Sequence, residues 1–218
     1  MTSEVGEDGR VSRGERRKAQ TRAALVRAAQ QLLAAGLTEV SIQQITEQAD
    51  VGFGSFYNHF RDKDELWKVA ILEVLELQGD LIDQATSEGD DPAEVFCVGL
   101  RLIGRLAREE PELARVVLRG GTSYLLVDHG LMQFARRDVA GAVRAGRFDV
   151  TDVSLALATT GGALLGLLAL LESDPQADAA SLSDDLAERL LRAFGLDRAE
   201  AAEMVARPLP AVRDALAR

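Results

Sequence analysis

The chain has 218 residues, a formal net charge of −10, five prolines and a single cysteine. That length allows one or two domains with a full core, and Cys97 alone excludes an intrachain disulfide and fits a reducing cytoplasm. The 47% hydrophobic content is dominated by Ala and Leu with few β-branched runs, so an all-α protein is expected.

The acidic balance argues against a nucleic-acid partner until its distribution is read. Through Lys68 ten Lys/Arg face ten Asp/Glu, so residues 69–218 carry the whole excess of acid. Residues 1–12 lack apolar periodicity and are expected to be disordered, with no signal peptide. Within residues 10–38 the bases Arg10, Arg13, Arg16, Arg17, Lys18, Arg22 and Arg27 face one acid, Glu15. Such a basic arm suits phosphates and also suits a solvated tail.

A first helix is predicted over 14–35, with the stripe Leu25, Ala28, Ala29, Leu32 and Leu33 and a stop at Gly36. Ser41 with Gln44 forms a capping box for a second helix, and Val40 with Ile45 a hydrophobic staple. That helix carries Ile42, Ile45 and Ala49 on one face and stops at Asp50-Val51-Gly52, Asp being tolerant of a left-handed turn. A third helix is predicted over 53–60, with Phe56 and Phe60 inward. Gly54, Ser55, Tyr57, Asn58 and His59 are then left outside, near Lys63. Two short helices joined by a tight turn make a helix-turn-helix, whose second helix can enter the major groove. Small residues let a backbone approach DNA, and Tyr, Asn, His and Lys supply donors for phosphates and base edges.

A long helix is predicted from 62 to 85 with no linker before it, so it joins the two parts rigidly. The Gly- and Asp-rich stretch 88–92 is the clearest break. Helices over 93–109, 112–118 and 123–145 are expected next, with turns at Gly120-Gly121 and Gly146. Cys97, in an apolar run, reads as a small buried hydrophobe.

Residues 153–171 form a nineteen-residue run without charge. It is long enough for a membrane span. Thr159, Thr160 and three glycines lie within it, Asp152 and Glu172 flank it, and no basic cluster marks a cytoplasmic side. A buried interface helix is therefore expected, and no membrane. Gly162 and Gly166 would permit close helix approach. A last amphipathic helix is predicted over 182–194, capped by Gly195, followed by one or two short helices near Pro208 and Pro210.

Two histidines, His59 and His129, and one cysteine give no zinc spacing. No phosphate loop follows a strand, and no nucleophile–base pair is apparent. No enzyme, metal or cofactor is expected. A mostly apolar cavity with a few polar anchors is what small-molecule sites look like, and Tyr124, His129, Ser154, Thr159 and Thr160 are candidate anchors.

Residues Thr21 to Leu32, with Gly36, Val40-Ser41, Ile42, Ile45, Ala49, Val51, Gly54, Tyr57, His59-Phe60, Lys63 and Leu66, resemble the DNA-binding domain of the tetracycline-repressor (TetR) family of bacterial transcription regulators. The spacing holds over roughly the first third of the chain. Asp50, Thr46 and Phe53 depart from the usual residues. The resemblance implies a DNA-binding domain over 10–61 and a helical regulatory and dimerisation domain over 62–218. It implies DNA contacts at Ser41, Gln43, Ser55, Tyr57, Asn58, His59 and Lys63, to which the exposed Gly54 and the arm residues Arg16 and Arg17 are added. It implies further that 151–172 and 182–195 pair with a twin subunit in a four-helix bundle, with Leu157, Gly162, Leu165, Gly166, Leu186 and Leu190 at the interface. The expected protein is a cytoplasmic homodimeric regulator, a repressor binding an inverted repeat of double-stranded DNA and released by a small apolar or amphipathic molecule. The competing expectation is a helical binding protein or enzyme whose DNA-binding domain is degenerate.

Overall fold

The computed structural model describes residues 12–86, 91–125, 127 and 129–209. Among the described residues every regular element is helical: α1 (Arg13–Ala34), α2 (Ile42–Gln48), α3 (Phe53–Phe56), α4 (Lys63–Ala85), α5 (Pro92–Glu109), α6 (Pro111–Gly120), a 3₁₀ turn (Gly121–Tyr124), α7 (Leu131–Arg144), α8 (Val153–Ser173), α9 (Ala179–Ala193) and α10 (Arg198–Ala206). The disorder expected before Ser12 and the segments 88–90 and 210–218 lie outside the described residues.

Local chemistry sets most boundaries. Ser12 and Glu15 form a capping box on α1, and Ser41 and Gln44 form the expected one on α2. Each satisfies two backbone donors that a helix start leaves unpaired. Asp62, Asp91, Asp152, Asp178 and Asp197 cap α4, α5, α8, α9 and α10 with side-chain oxygens. Asp50 has φ 52°, the left-handed turn expected of it, and Gly36 has φ 75° just beyond α1.

Two helices differ from expectation. α3 ends at Phe56, and residues 57–59 form a turn instead of more helix. Gly54 and Ser55 lie in that short stretch and hold a helix weakly. The amide of Phe60 still donates to the carbonyl of Phe56 at 3.0 Å, so both rings face inward as expected. The predicted helix over 123–145 is broken: a 3₁₀ turn ends at Tyr124, and α7 begins only at Leu131. Gly130 makes the break. Its φ is 55°, and a Cβ there would lie 2.8 Å from the backbone N of Glu76, so the chain touches the α4 backbone itself. Only glycine fits such an approach comfortably.

Leu25, Ile45, Phe56, Phe60 and Leu66 build the core under the helix-turn-helix, and Val74 and Val116 extend that same cluster along α4 and into α6. Two further clusters join α5, α7, α8, α9 and α10. Cys97 lies inside the first of these, and burial pushes its thiol up to about 11, an inert core position. α4 thus roots its first half in one core and its second half, through Ile82, in another.

Candidate DNA interface and ligand cavities

The outer face of the helix-turn-helix is built from what the core leaves over. Ser41, Gln43, Gly54, Tyr57 and Asn58 are exposed, while Ser55 and His59 are half-buried. Nothing lies within 4 Å of where a Cβ on Gly54 would be, so the backbone of α3 is bare there. Tyr57 is 56% exposed and meets Phe53 edge-on at 5.9 Å. Gln43 donates to Glu47 at 2.9 Å, which orients its amide along α2. Arg16 and Arg17 lie exposed on the first turns of α1. Arg10 falls outside the described residues.

Lys63 does more than present a charge. Its ammonium donates to the carbonyls of Thr38 and Val40 at 3.1 and 3.2 Å, tying the loop between α1 and α2 to the start of α4. One of its three donors remains for a phosphate. Arg22 bridges to Glu73 at 2.8 Å and lies over the Phe60 ring at 5.6 Å, locking α1 onto α4. The pKa of His59 is lowered by burial and by the nearby cations Lys18 and Arg22. It is therefore held neutral beside a basic edge.

Two mostly apolar cavities open in the larger half, beside a roomier one of about 200 Å³ rimmed by Arg108, Arg115 and Glu172. The first, about 40 Å³, lies between α4, α5, α7 and α8 and is walled by apolar groups such as Phe96, Leu100 and Phe134. Two polar residues interrupt it, Asp138 and Thr160. Asp138 is only 9% exposed. One carboxylate oxygen accepts from Nε of Arg137 at 2.9 Å, and Arg137 in turn donates to Asp83 on α4 at 2.7 Å. Burial nevertheless raises the pKa of Asp138 above its ordinary value, outweighing Arg137. Thr160 donates to the carbonyl of Ala156 at 2.8 Å, so its oxygen still has lone pairs to accept with. The second cavity, about 40 Å³, is lined by Gln78 and Tyr124 among apolar groups including Ile71, Val117 and Leu168. Burial raises the Tyr124 phenol.

Of the candidate anchors, Tyr124 lines the second cavity and Thr160 the first. His129 is exposed, with Nε2 3.9 Å from a carboxylate oxygen of Glu76. Thr159 and Ser154 are on the exposed face of α8, where Thr159 donates to the carbonyl of Leu155. These three line neither cavity, because a quarter-turn separates Thr159 from Thr160 on the same helix. Asp138 and Gln78 escaped the reading of the sequence, although both interrupt apolar stripes: Ala135, Val139 and Ala142 around Asp138, Val74, Leu75 and Ile82 around Gln78.

The candidate interface residues also divide. Gly162 and Gly166 are exposed with nothing within 4 Å of an added Cβ, and Leu165 is half-buried. Leu155, 66% exposed, and Leu170 extend that apolar face along α8. Leu157 and Leu190 point instead into the core of their own subunit, and Leu186 packs half-buried against it. Among the described residues α8 is the one helix long and apolar enough to cross a membrane.

Comparison with known proteins gives the family. Residues 25–70 match the family described as bacterial regulatory proteins, tetR family, and residues 91–207 match the tetracyclin repressor-like C-terminal domain. The crystal structure of RolR in complex with resorcinol is 34% identical with a TM-score of 0.72, covering 90% of this chain and 98% of that one. The fold is also that of TylP, a TetR regulator from Streptomyces fradiae, at 20% identity, TM-score 0.61 and coverage of 88% and 100%. A γ-butyrolactone receptor described as ArpA-like aligns at 23% identity with a TM-score of 0.58, covering 88% and 97%. No curated protein matches the chain. With matches at both ends of the chain and a 34% identical relative along 90% of it, this protein belongs to the TetR family of transcription regulators.

Proposed function

We propose that this regulator is a cytoplasmic homodimeric repressor that binds an inverted-repeat operator and is released by a small hydroxylated aromatic molecule. The observation that carries the reading is the buried Asp138 carboxylate facing an apolar cavity, held by Arg137 against α4. A phenolic hydroxyl donates to such a carboxylate while its ring fills the apolar walls, and Thr160 accepts a second hydroxyl. RolR, the 34% identical relative, was crystallised with resorcinol, which has two hydroxyls on one ring.

The DNA side rests on the exposed face of α2 and α3. Gln43 and Asn58 are the base-reading candidates; Ser41, Ser55, Tyr57, His59, Lys63, Arg16 and Arg17 serve phosphates, and Gly54 permits close approach. Residues 10–61 form the DNA-binding domain and 62–218 the regulatory one. The apolar face of α8 at Leu155, Gly162, Leu165 and Gly166 needs a cover, and a second subunit related by a two-fold axis supplies it. Two such subunits set their recognition helices about one helical turn apart, ~34 Å, which calls for an inverted repeat. Ligand in the cavity shifts α4 through Arg137 and Asp83, and the shift is as large as its differential affinity for the free and DNA-bound forms.

The test is selection of bound sequences from random DNA, followed by titration of the selected site with and without resorcinol. An inverted repeat whose affinity falls on adding resorcinol is the expected result. An asymmetric site rejects the dimer geometry. Linkage requires the operator to weaken resorcinol binding by the same factor, and equal resorcinol affinity with and without operator rejects the release mechanism.

A further inference from the structure

We infer that the two cavities are lobes of one effector site and that Gln78 selects an effector with a second polar group, set across an apolar spacer from its hydroxylated ring. This rests on the reading of the Asp138 lobe as the effector site and specifies what the rest of the molecule must look like.

The lobes share walls. Ile103, Leu131, Met132, Gly161 and Leu164 line both. Gly161 is the pinch point. A Cβ there would lie 2.5 Å from Cδ2 of Leu125, so the missing side chain is what lets Leu125 close against α8 beside the shared wall. Met132 adds a flexible thioether at the same place, able to move for a ligand that threads through.

Gln78 is the unexplained group. It is 4% exposed and lines the second lobe. Among the described residues its side chain makes no hydrogen bond. Yet among those residues no fully buried polar side-chain atom lacks a partner, so the amide keeps some open surface, and Gln78 lines the second lobe. A buried primary amide without a partner is costly. A leucine would fill the same stripe of α4 without that cost. An amide facing a cavity is worth keeping when something in the cavity meets it, and an amide both donates and accepts. Tyr124 stands in the same lobe with a phenol raised by burial, a second available donor. Gln78 lies one helical turn before Ile82, which lines the first lobe, so the lobes are offset by ~6 Å along α4. A short alkyl spacer covers that offset. A bare two-hydroxyl ring fills only the first lobe and leaves Gln78 unmet.

The test uses three probes on the intact protein by calorimetric titration: resorcinol, hexylresorcinol, and the same hexyl chain ending in a hydroxyl. In the wild type the hydroxyl-ended probe is expected to bind roughly tenfold more tightly than the methyl-ended one. In Gln78→Leu and in Gln78→Met, two variants of different shape, the order inverts. Resorcinol affinity should stay unchanged in both, because the first lobe is untouched. If resorcinol binds but neither chain improves on it, the lobes are not one site and this inference falls while the proposed function stands. If the methyl-ended probe binds best in wild type and variants alike, Gln78 does not select and the inference falls. If none of the three binds, the proposed effector class itself is wrong, and this inference falls with it.

Discussion

Tyr57, at the C-cap of α3, is 56% exposed and Asp138 on α7 is 9% exposed. Tyr57 stands beside Phe56, a ring with no exposure at all, just past a four-residue helix whose other side is the core. Asp138 stands beside Val139, also fully buried, on the inner face of a helix whose outer face carries Gln133, Arg137 and Arg144. The DNA surface is therefore a product of one short segment: the pattern of inward and outward residues makes it. The cavity is a product of assembly, with walls from α4, α5, α7 and α8 that are far apart in the chain. Breaking the two regions should show that difference.

The largest effect is expected at the core of the DNA-binding half. Phe56→Ala removes a fully buried ring and should cost about 3–5 kcal/mol of stability, seen as a large drop in the thermal or denaturant midpoint. Tyr57→Ala, one residue away, should leave that midpoint in place while weakening binding to all DNA sequences alike. Loss of midpoint in Tyr57→Ala would mean the ring is packing, not contact.

Next comes the cavity. Asp138→Asn keeps the shape and removes the charge. If a phenol donates to this carboxylate, effector affinity should fall by about 1.5–3 kcal/mol, with operator affinity in the absence of effector unchanged. The pH dependence follows from the raised pKa of Asp138. The folded protein takes up its proton at higher pH than the unfolded chain. Its contribution to stability is thus greatest at low pH and declines as pH climbs to the folded-state pKa. Effector binding needs the carboxylate, so affinity should rise with pH over the same interval and become flat in Asp138→Asn.

The α8 face comes third in magnitude. Gly162→Leu meets open space within one subunit, where nothing lies within 4 Å of its Cβ. The subunit should fold normally and the dimer should lose ~1–3 kcal/mol by overpacking, measured by sedimentation equilibrium. Leu157→Ala should do the reverse, destabilising the subunit itself, since that side chain is fully buried in its own core.

How much of this was legible in the sequence follows the same division. The helix-turn-helix could be read because its signals are local: Ser41 with Gln44, Asp50 in the turn, Phe56 with Phe60. The helical class and the break before α5 were legible for the same reason. The end of α3 was not, because Gly54 and Ser55 weaken a helix without naming where it stops. The break at Gly130 was not legible either, since it answers to the α4 backbone of Glu76, a contact over fifty residues away in the chain. Thr159 and Thr160 look alike in sequence, and only the helix orientation separates an exposed hydroxyl from one lining the cavity. Leu157 and Gly162 pose the same ambiguity on a helix apolar all round. Asp138 and Gln78 were legible in principle as polar interruptions of apolar stripes, and the composition-led search for anchors passed over them.

The smallest effect expected concerns His59, and it tests whether the basic edge faces phosphate. In the free protein burial, Lys18 and Arg22 together lower the pKa of this imidazole below its ordinary 6.5. Lys18 and Arg22 repel the imidazolium. A DNA phosphate laid against that edge cancels their repulsion and attracts the proton as well, so the pKa of His59 should rise on binding. A group whose pKa is higher in the complex than in the free protein takes up a proton as the complex forms. Operator affinity should therefore strengthen as pH falls, beginning at the pKa in the complex and ending below the lowered pKa of the free protein. At most one proton is involved, and a shift of one unit corresponds to ~1.4 kcal/mol, about tenfold in affinity. Fluorescence anisotropy of labelled operator across that interval, at fixed salt, reads the effect. His59→Gln keeps a polar side chain and removes the titration, so its binding curve should be flat where the wild type slopes. Arg16→Ala and Arg17→Ala each should flatten the salt dependence by ~0.9 per lost contact without altering the pH slope. A His59→Gln variant with an unchanged pH slope would mean that no phosphate lies against the His59 imidazole.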